Sequence, residues 1–325
     1  MPQPSISYAC GGIGVLRRNA LGTAQLERLM ATHTYAEACR TLSDIGFMNA
    51  EAGDFQAAAD AHVKRACELL TAVTPDPDMT DCFLFRYDIH NLKVLMKSRF
   101  LAQKPQFLSS CGVLKADVLR HAVSERRYDA LPAVLKDALD TLEKRLAKEF
   151  DPMLIDAELD KALYRLIFAK LRNVRLKAVK TYFTAKVDMQ NYIVLLRAKA
   201  MGKGSAFFER LFLPCGSIPA GAFQKAFDEP DRLAALLKGY GDRVYRAATA
   251  CALDPKKLPL MEKTADDYLF GLFGDTRYQT DSIEVLIAYL LQAQREATDV
   301  RLIMAGKLNG FKPEELEERV RELHG

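Results

Sequence analysis

Motifs that announce chemistry are scarce in this 325-residue chain. Its seven cysteines, Cys10, Cys39, Cys67, Cys82, Cys111, Cys215 and Cys251, form no CxxC pair, and its five histidines show no HxxxH spacing. A zinc centre is therefore not expected, and the odd thiol count reads as buried, reduced cysteines in a reducing compartment. No GxSxG elbow or Cys/His nucleophile arrangement is present. Gly11-Gly12-Ile13-Gly14 lacks a preceding strand and has neither GxGxxG nor P-loop spacing, so it does not read as a phosphate cradle. The sequence thus gives no positive argument for an enzyme, a metal or a cofactor. No run approaches the ~18 apolar residues of a membrane span, and Met1 to Ala9 has no continuous apolar core of the signal-peptide kind. Strand patterning is missing too, since no stretch alternates apolar and polar residues over six positions between turn residues.

What is present is helix. Ile283, Leu286, Leu290, Ala293, Ala297, Val300 and Met304 alternate steps of three and four, which predicts one helix of about six turns. Leu154 to Leu171 is spaced the same way, and Val174 to Met201 is expected to continue it as a long element of roughly 40 Å. Shorter helices are expected over Thr23 to Ala31, Tyr35 to Asp44, Asp54 to Val73, Lys115 to Val123, Asp129 to Leu146 and Asp231 to Leu237. Between them fall Thr74-Pro75-Asp76-Pro77, Asp151-Pro152, Gly202-Lys203-Gly204, Leu213-Pro214-Cys215-Gly216 and Asp254-Pro255. The pattern is that of an all-α protein, and 49% hydrophobic with 27% charged residues is the composition of an ordinary soluble protein with substantial cores, long enough for two or three of them.

One segment is written three times. Asp88, Asn91, Leu92, Leu95 and Met96 recur 100 residues later as Asp188, Asn191, Tyr192, Leu195 and Leu196. A further copy places Glu296, Asp299, Val300, Ile303 and Met304 in the same order. The sequels repeat as well: Cys111-Gly112, Leu114, Leu119 and Val123 correspond to Cys215-Gly216, Ile218, Phe223 and Phe227, and after the third copy Phe311, Leu316 and Val320 keep the spacing. A partial fourth sequel lies near the start, in Leu21, Leu26 and Met30. Repetition at this period implies three similar domains of about 100 residues, approximately 1–110, 111–214 and 215–325, with a chain that is permuted between repeats as an allowed variant. The acid and the residue three places on share a helix face, where a half-buried pair can bond the backbone of an adjoining element. The competing reading makes them ordinary polar residues beside an apolar stripe.

Charge adds one feature to a mild net of +4. Eleven basic residues lie between Lys161 and Lys203, opposed only by Asp188. Aromatic side chains suited to base stacking are few there, so a nucleic-acid surface is not favoured. A solvated helix face is the plainer reading; a surface including Arg172, Arg175 and Lys180 that meets an acidic partner or headgroups is the alternative.

Together RYDIHNLKVLMKSRF, YFTAKVDMQNYIVLLRAKAMGKGSAFFERLFLPCGSIP and EATDVRLIMAGKLNGFKPEELEERV resemble the C subunit of the prokaryotic V/A-type ATPases, the counterpart of the eukaryotic d subunit. The resemblance covers nearly the whole chain, departing where Cys10-Gly11-Gly12-Ile13-Gly14 interrupts the family's usual N-terminal Tyr and basic amphipathic helix. It implies three helical domains around a pseudo-threefold axis, forming a funnel. It also implies a non-catalytic central-stalk role at the cytoplasmic face of the membrane, between shaft subunits of the D/F type and the ring of proteolipids, coupling H⁺ or Na⁺ movement to ATP turnover without nucleotide, cofactor or membrane span of its own. A free-standing helical scaffold for a soluble partner is the main rival.

Overall fold

The computed structural model describes residues 5–17, 20–47, 53–148, 150–174, 176–274, 276, 279–317 and 319–321, and among them all regular structure is helical. The chain divides into two compact units: Met1–Pro77 with Lys256–Gly325, and Asp78–Pro255. The first unit opens with α1 (Ile6–Arg17), α2 (Thr23–Met30), α3 (Tyr35–Asp44) and α4 (Phe55–Val73). The second holds α5 (Pro77–Phe100), α6 (Ala116–Glu125), α7 (Ala133–Leu146), α8 (Pro152–Lys170), α9 (Lys177–Ala200), α10 (Ser205–Leu211), α11 (Ala220–Ala226), α12 (Pro230–Ala235) and α13 (Asp242–Leu253). The chain then returns to the first unit with α14 (Leu258–Gly271), α15 (Ile283–Leu308) and α16 (Pro313–Glu317).

Helix starts are fixed by side chains that satisfy backbone N–H groups no preceding turn can reach. Asp54 accepts from Ala57 N at 2.9 Å, Asp151 from Met153 N at 2.9 Å and Ser282 from Glu284 N at 3.2 Å. Each such cap stabilises its helix by about 1 kcal/mol. The three written segments lie on the long helices α5, α9 and α15, of 24, 24 and 26 residues. In the first unit α15 runs along α4 and α1, and Leu26, Leu29, Leu42, Phe47 and Ala58 close with Val300, Ile303 and Leu316 into one core.

Two expectations need correction. The 154–201 stretch is two helices, because Leu171–Asn173 tightens into a 3₁₀ turn and Val174 and Leu176 are extended. Leu171 is buried, so the apolar rhythm runs on past the point where the helix stops. Conversely, the glycine run does not interrupt the N-terminus: α1 passes straight through Gly11, Gly12 and Gly14. Glycine costs a helix interior about 1 kcal/mol each, and burial of Ala9, Cys10 and Ile13 holds this one in place.

Candidate functional site

The repeated polar residues clamp backbone in all three copies, by an Asp/Asn pair in the first two and by Glu296 and Asp299 in the third. Asp88, Asn91, Asp188, Asn191 and Asp299 are 0% exposed and Glu296 2%. In the first copy Asp88 accepts from Val113 N and Leu114 N, both at 2.9 Å. In the second, Asp188 accepts from Ser217 N and Ile218 N at 3.1 Å, and the Ser217 and Tyr240 hydroxyls donate to its Oδ2 at 2.5 Å. Each carboxylate thereby fixes the turn that leads into the next short helix, α6 or α11.

Asn91 and Asn191 hold that same connection further upstream, each with a reciprocal pair of bonds. Asn91 donates to Ser109 O at 2.8 Å and accepts from Ser109 N at 2.7 Å. Asn191 does the same with Leu213, at 3.0 and 2.8 Å. An amide carries one donor and one acceptor side by side, so it can close on a single residue's N–H and C=O as a neighbouring strand would. The close approach leaves no room beside the carboxylates: a Cβ built on Gly112 or Gly216 overlaps Oδ1 of Asp88 or Asp188.

The third copy is completed from the opposite end of the chain. Glu296 accepts from Leu21 N at 3.1 Å, and Leu21 holds the place in the N-terminal sequel that Leu114 and Ile218 hold in theirs. Its other oxygen lies 2.7 Å from His62 Nε2. Phe311, which follows the third copy in sequence, does not fill this position and is 42% exposed. The reason is reach: from Glu296 to Leu308 the helix advances about 18 Å at ~1.5 Å per residue. The next three residues, extended, return only about 10 Å. The chain comes back through α16 and reaches the level of Asp299, where Arg321 N donates to Oδ1 at 3.1 Å.

A cation eleven residues after each acid finishes the clamp. Arg99 donates to Val123 O at 2.8 Å, Lys199 to Phe227 O, and Lys307 to Met30 O at 2.6 Å, so each secures the far end of the short helix α6, α11 or α2. Arg99 also meets Glu143 at 2.5 Å, and Lys307 also donates to Thr32 O. Burial depresses the Lys307 ammonium below its ordinary range. Sequence reasoning missed these cations, although their constant distance from the acid is a signal that could have found them. Lys307→Met is expected to lower the stability of the first unit by about 2 kcal/mol, since two bonds from one charged donor to carbonyls are lost; denaturant unfolding checks it.

Burial sets the protonation of two of the acids. Desolvation pushes Asp88 up to about 7, against the lowering effect of its Leu114 and Val113 N–H bonds. Asp299 is pushed up to about 6 by the same cause, opposed by the Arg321 N–H and by the charges of Arg321 and Arg295.

Among the described residues no group of His, Cys, Asp and Glu is placed to hold a metal ion, and no helix is long and apolar enough to cross a membrane. A cavity of about 780 Å³ lies beside α1 in the first unit, where Gly11 and Gly14 present no side chain; Cys10, Arg17, Phe270 and Gln292 are in its wall. Of the basic run, Lys161 pairs with Glu158 at 3.2 Å, Lys170 with Asp78, and Lys199 is occupied as above. Arg172 and Lys180 are exposed, and Arg175 lies outside the described residues.

In all three copies the acid, the residue three places on and the cation bind main chain, which defines a scaffold of repeated helical units. The chain belongs to the ATP synthase (C/AC39) subunit family, whose model matches residues 9–319. It is 23% identical to the C subunit of the V-type sodium ATPase of Enterococcus hirae over 275 residues, 83% of each chain. To the C subunit of the A-type ATP synthase of Pyrococcus horikoshii it is 23% identical over 283 residues, 83% of this chain and 76% of that one. A further A-type C subunit, from Thermococcus kodakarensis, is 22% identical over 309 residues, 92% of this chain and 83% of its own. The chain is thus a rotary-ATPase subunit of the C type.

Proposed function

We propose that this subunit is a non-catalytic part of the central stalk, joining the shaft to the proteolipid ring at the cytoplasmic face and coupling H⁺ or Na⁺ movement to ATP synthesis or hydrolysis. In this reading the three copies are three similar domains around a pseudo-threefold axis, forming a funnel. The observation that carries the proposal is the tripled clamp. A part that transmits torque needs its connections fixed to its helices at several points, and here each long helix holds a neighbouring segment by acid, amide or acid, and cation. That use of charge suits load-bearing rather than bond-making.

The ends of the same helices supply surfaces for partners. Leu101, Met201 and Leu308, just after or at the last turn of α5, α9 and α15, are 51%, 58% and 62% exposed. Around them the stretches 97–104, 197–203 and 307–312 carry basic residues and no acid. Exposed apolar groups among cations suit a partner that offers apolar contact beside acidic groups, and Arg172 and Lys180 extend the basic surface of the second unit.

Affinity capture from detergent-solubilised membranes tests this. Shaft and proteolipid subunits are expected in the captured material, and recovery of neither overturns the proposal. Combined charge reversal at the exposed Lys104, Lys203 and Lys312 is expected to leave the helical fold intact while lowering that capture at least tenfold. Retention of full capture would remove the helix ends from the contact surface; capture of soluble proteins alone would favour the free-standing scaffold.

A further inference from the structure

Asp299 stands where the other two copies have asparagine. It is fully buried, its Oδ1 accepts from Arg321 N, and its Oδ2 has no hydrogen-bond partner among the described residues. In the asparagine copies the corresponding second atom is an N–H donor aimed at the carbonyl of the clamped residue, Ser109 or Leu213. A carboxylate cannot donate, whereas a carboxylic acid is the nearest match to an amide: one oxygen accepts and the other carries a proton. We propose that Asp299 works as a proton-operated latch, which in its protonated form closes on the backbone at Arg321 as Asn91 and Asn191 close on theirs, and which releases residues 319–321 when the proton leaves.

Among the described residues, the charged groups around Asp299 have partners of their own. On its own helix Arg295 is held by Asp267 of α14 and stacks on Phe270 at 4.9 Å, with its Nε unpartnered among the described residues. Arg321 of the C-terminal segment pairs with Asp266 of α14 at 3.1 Å. Glu296, one turn away, is occupied by Leu21 N, Gln292 and, from α4, His62. The nearest cations therefore already have acids of their own, and the burial described above favours the neutral acid. Release of the segment opens Asp299 to water, and because burial, against the opposing Arg321 N–H and charge, raises the closed-state pKa to about 6, the closed state binds the proton more tightly than the open one. Closure is then strongest in acid and weakens as the pH rises through about 6.

Hydrogen exchange of the C-terminal segment in the full chain, corrected for intrinsic exchange rates, reads the latch directly. The opening constant at 319–321 is expected to rise about tenfold from pH 5 to pH 8, as a carboxyl that titrates near 6 when closed and at its ordinary value when open requires. In Asp299→Asn it should stay flat and low across that range, because the amide closes the clamp without a proton. A wild-type opening constant that is flat or falls with pH overturns the latch, and so does an Asp299→Asn variant that opens more than wild type at pH 8; either result would mean that Asp299 is ionised and held chiefly by Arg321. Should that variant fail to fold, the carboxyl carbon resonance of Asp299 in the wild-type chain decides. Titration near pH 6 supports the latch, and titration below pH 4 overturns it. None of these outcomes depends on whether the subunit binds shaft or ring.

Discussion

Alanine at Gly216, or at Gly112, is expected to cost the second unit about 3 kcal/mol, among the largest losses a single methyl group can cause. The added Cβ falls on Oδ1 of the clamp acid, and that oxygen is bound to Ile218 N in one copy and to Leu114 N in the other. Relief requires the carboxylate to withdraw, which breaks two part-buried bonds to backbone N–H groups, each contributing about 1–1.5 kcal/mol. Gly216 has the stiffer surroundings, since its Cβ would also press on Val187. The control is Gly221→Ala on α11, where nothing lies within 4 Å of the new atom; it is expected to be neutral or to stabilise by up to about 1 kcal/mol. Denaturant midpoints for the three variants check this, and equal shifts for all three would contradict the clamp.

Stability of the second unit should fall as the pH rises, with Asp88 as the source. Its carboxyl is pushed from an ordinary 3.8 to about 7, chiefly by desolvation. The folded chain then holds a proton that the unfolded chain has already released, so the contribution is fully present below about pH 4 and is lost as the pH climbs through about 7. The difference corresponds to about 4 kcal/mol over the whole interval. Asp88→Asn should lose stability at pH 5, because an amide offers one acceptor where Val113 N and Leu114 N need two. Its profile between pH 5 and pH 8 should nonetheless be flatter than wild type. Urea unfolding at several pH values separates the two effects; a wild-type profile that rises over this range would show that Asp88 is charged in the folded state.

Much of the helical layout was legible because it is local. Periodicity marks α15, α8 and α4. The placement of Asp88/Asn91, Asp188/Asn191 and Glu296/Asp299 on shared helix faces could also be read from spacing. Their partners could not. Leu21 and Glu296 are 275 positions apart, and Phe311 stands nearer in sequence with the right neighbours, so only the reach of the chain decides between them. The break after Leu171 was hidden for another reason: burial continues across it while the backbone changes. α1 was obscured by its glycines, whose propensity is overridden by packing against α15. The division into three domains with a funnel shape stays a proposal resting on the repeats and the family.

The coupling role is tested most directly in membranes stripped of this subunit and supplied with it again. ATP hydrolysis and ion transport would be measured together, before and after addition. The account predicts that the stripped membranes hydrolyse ATP with little ion movement, and that the added subunit restores transport in proportion to hydrolysis. Ion transport that remains fully coupled without the subunit would contradict it.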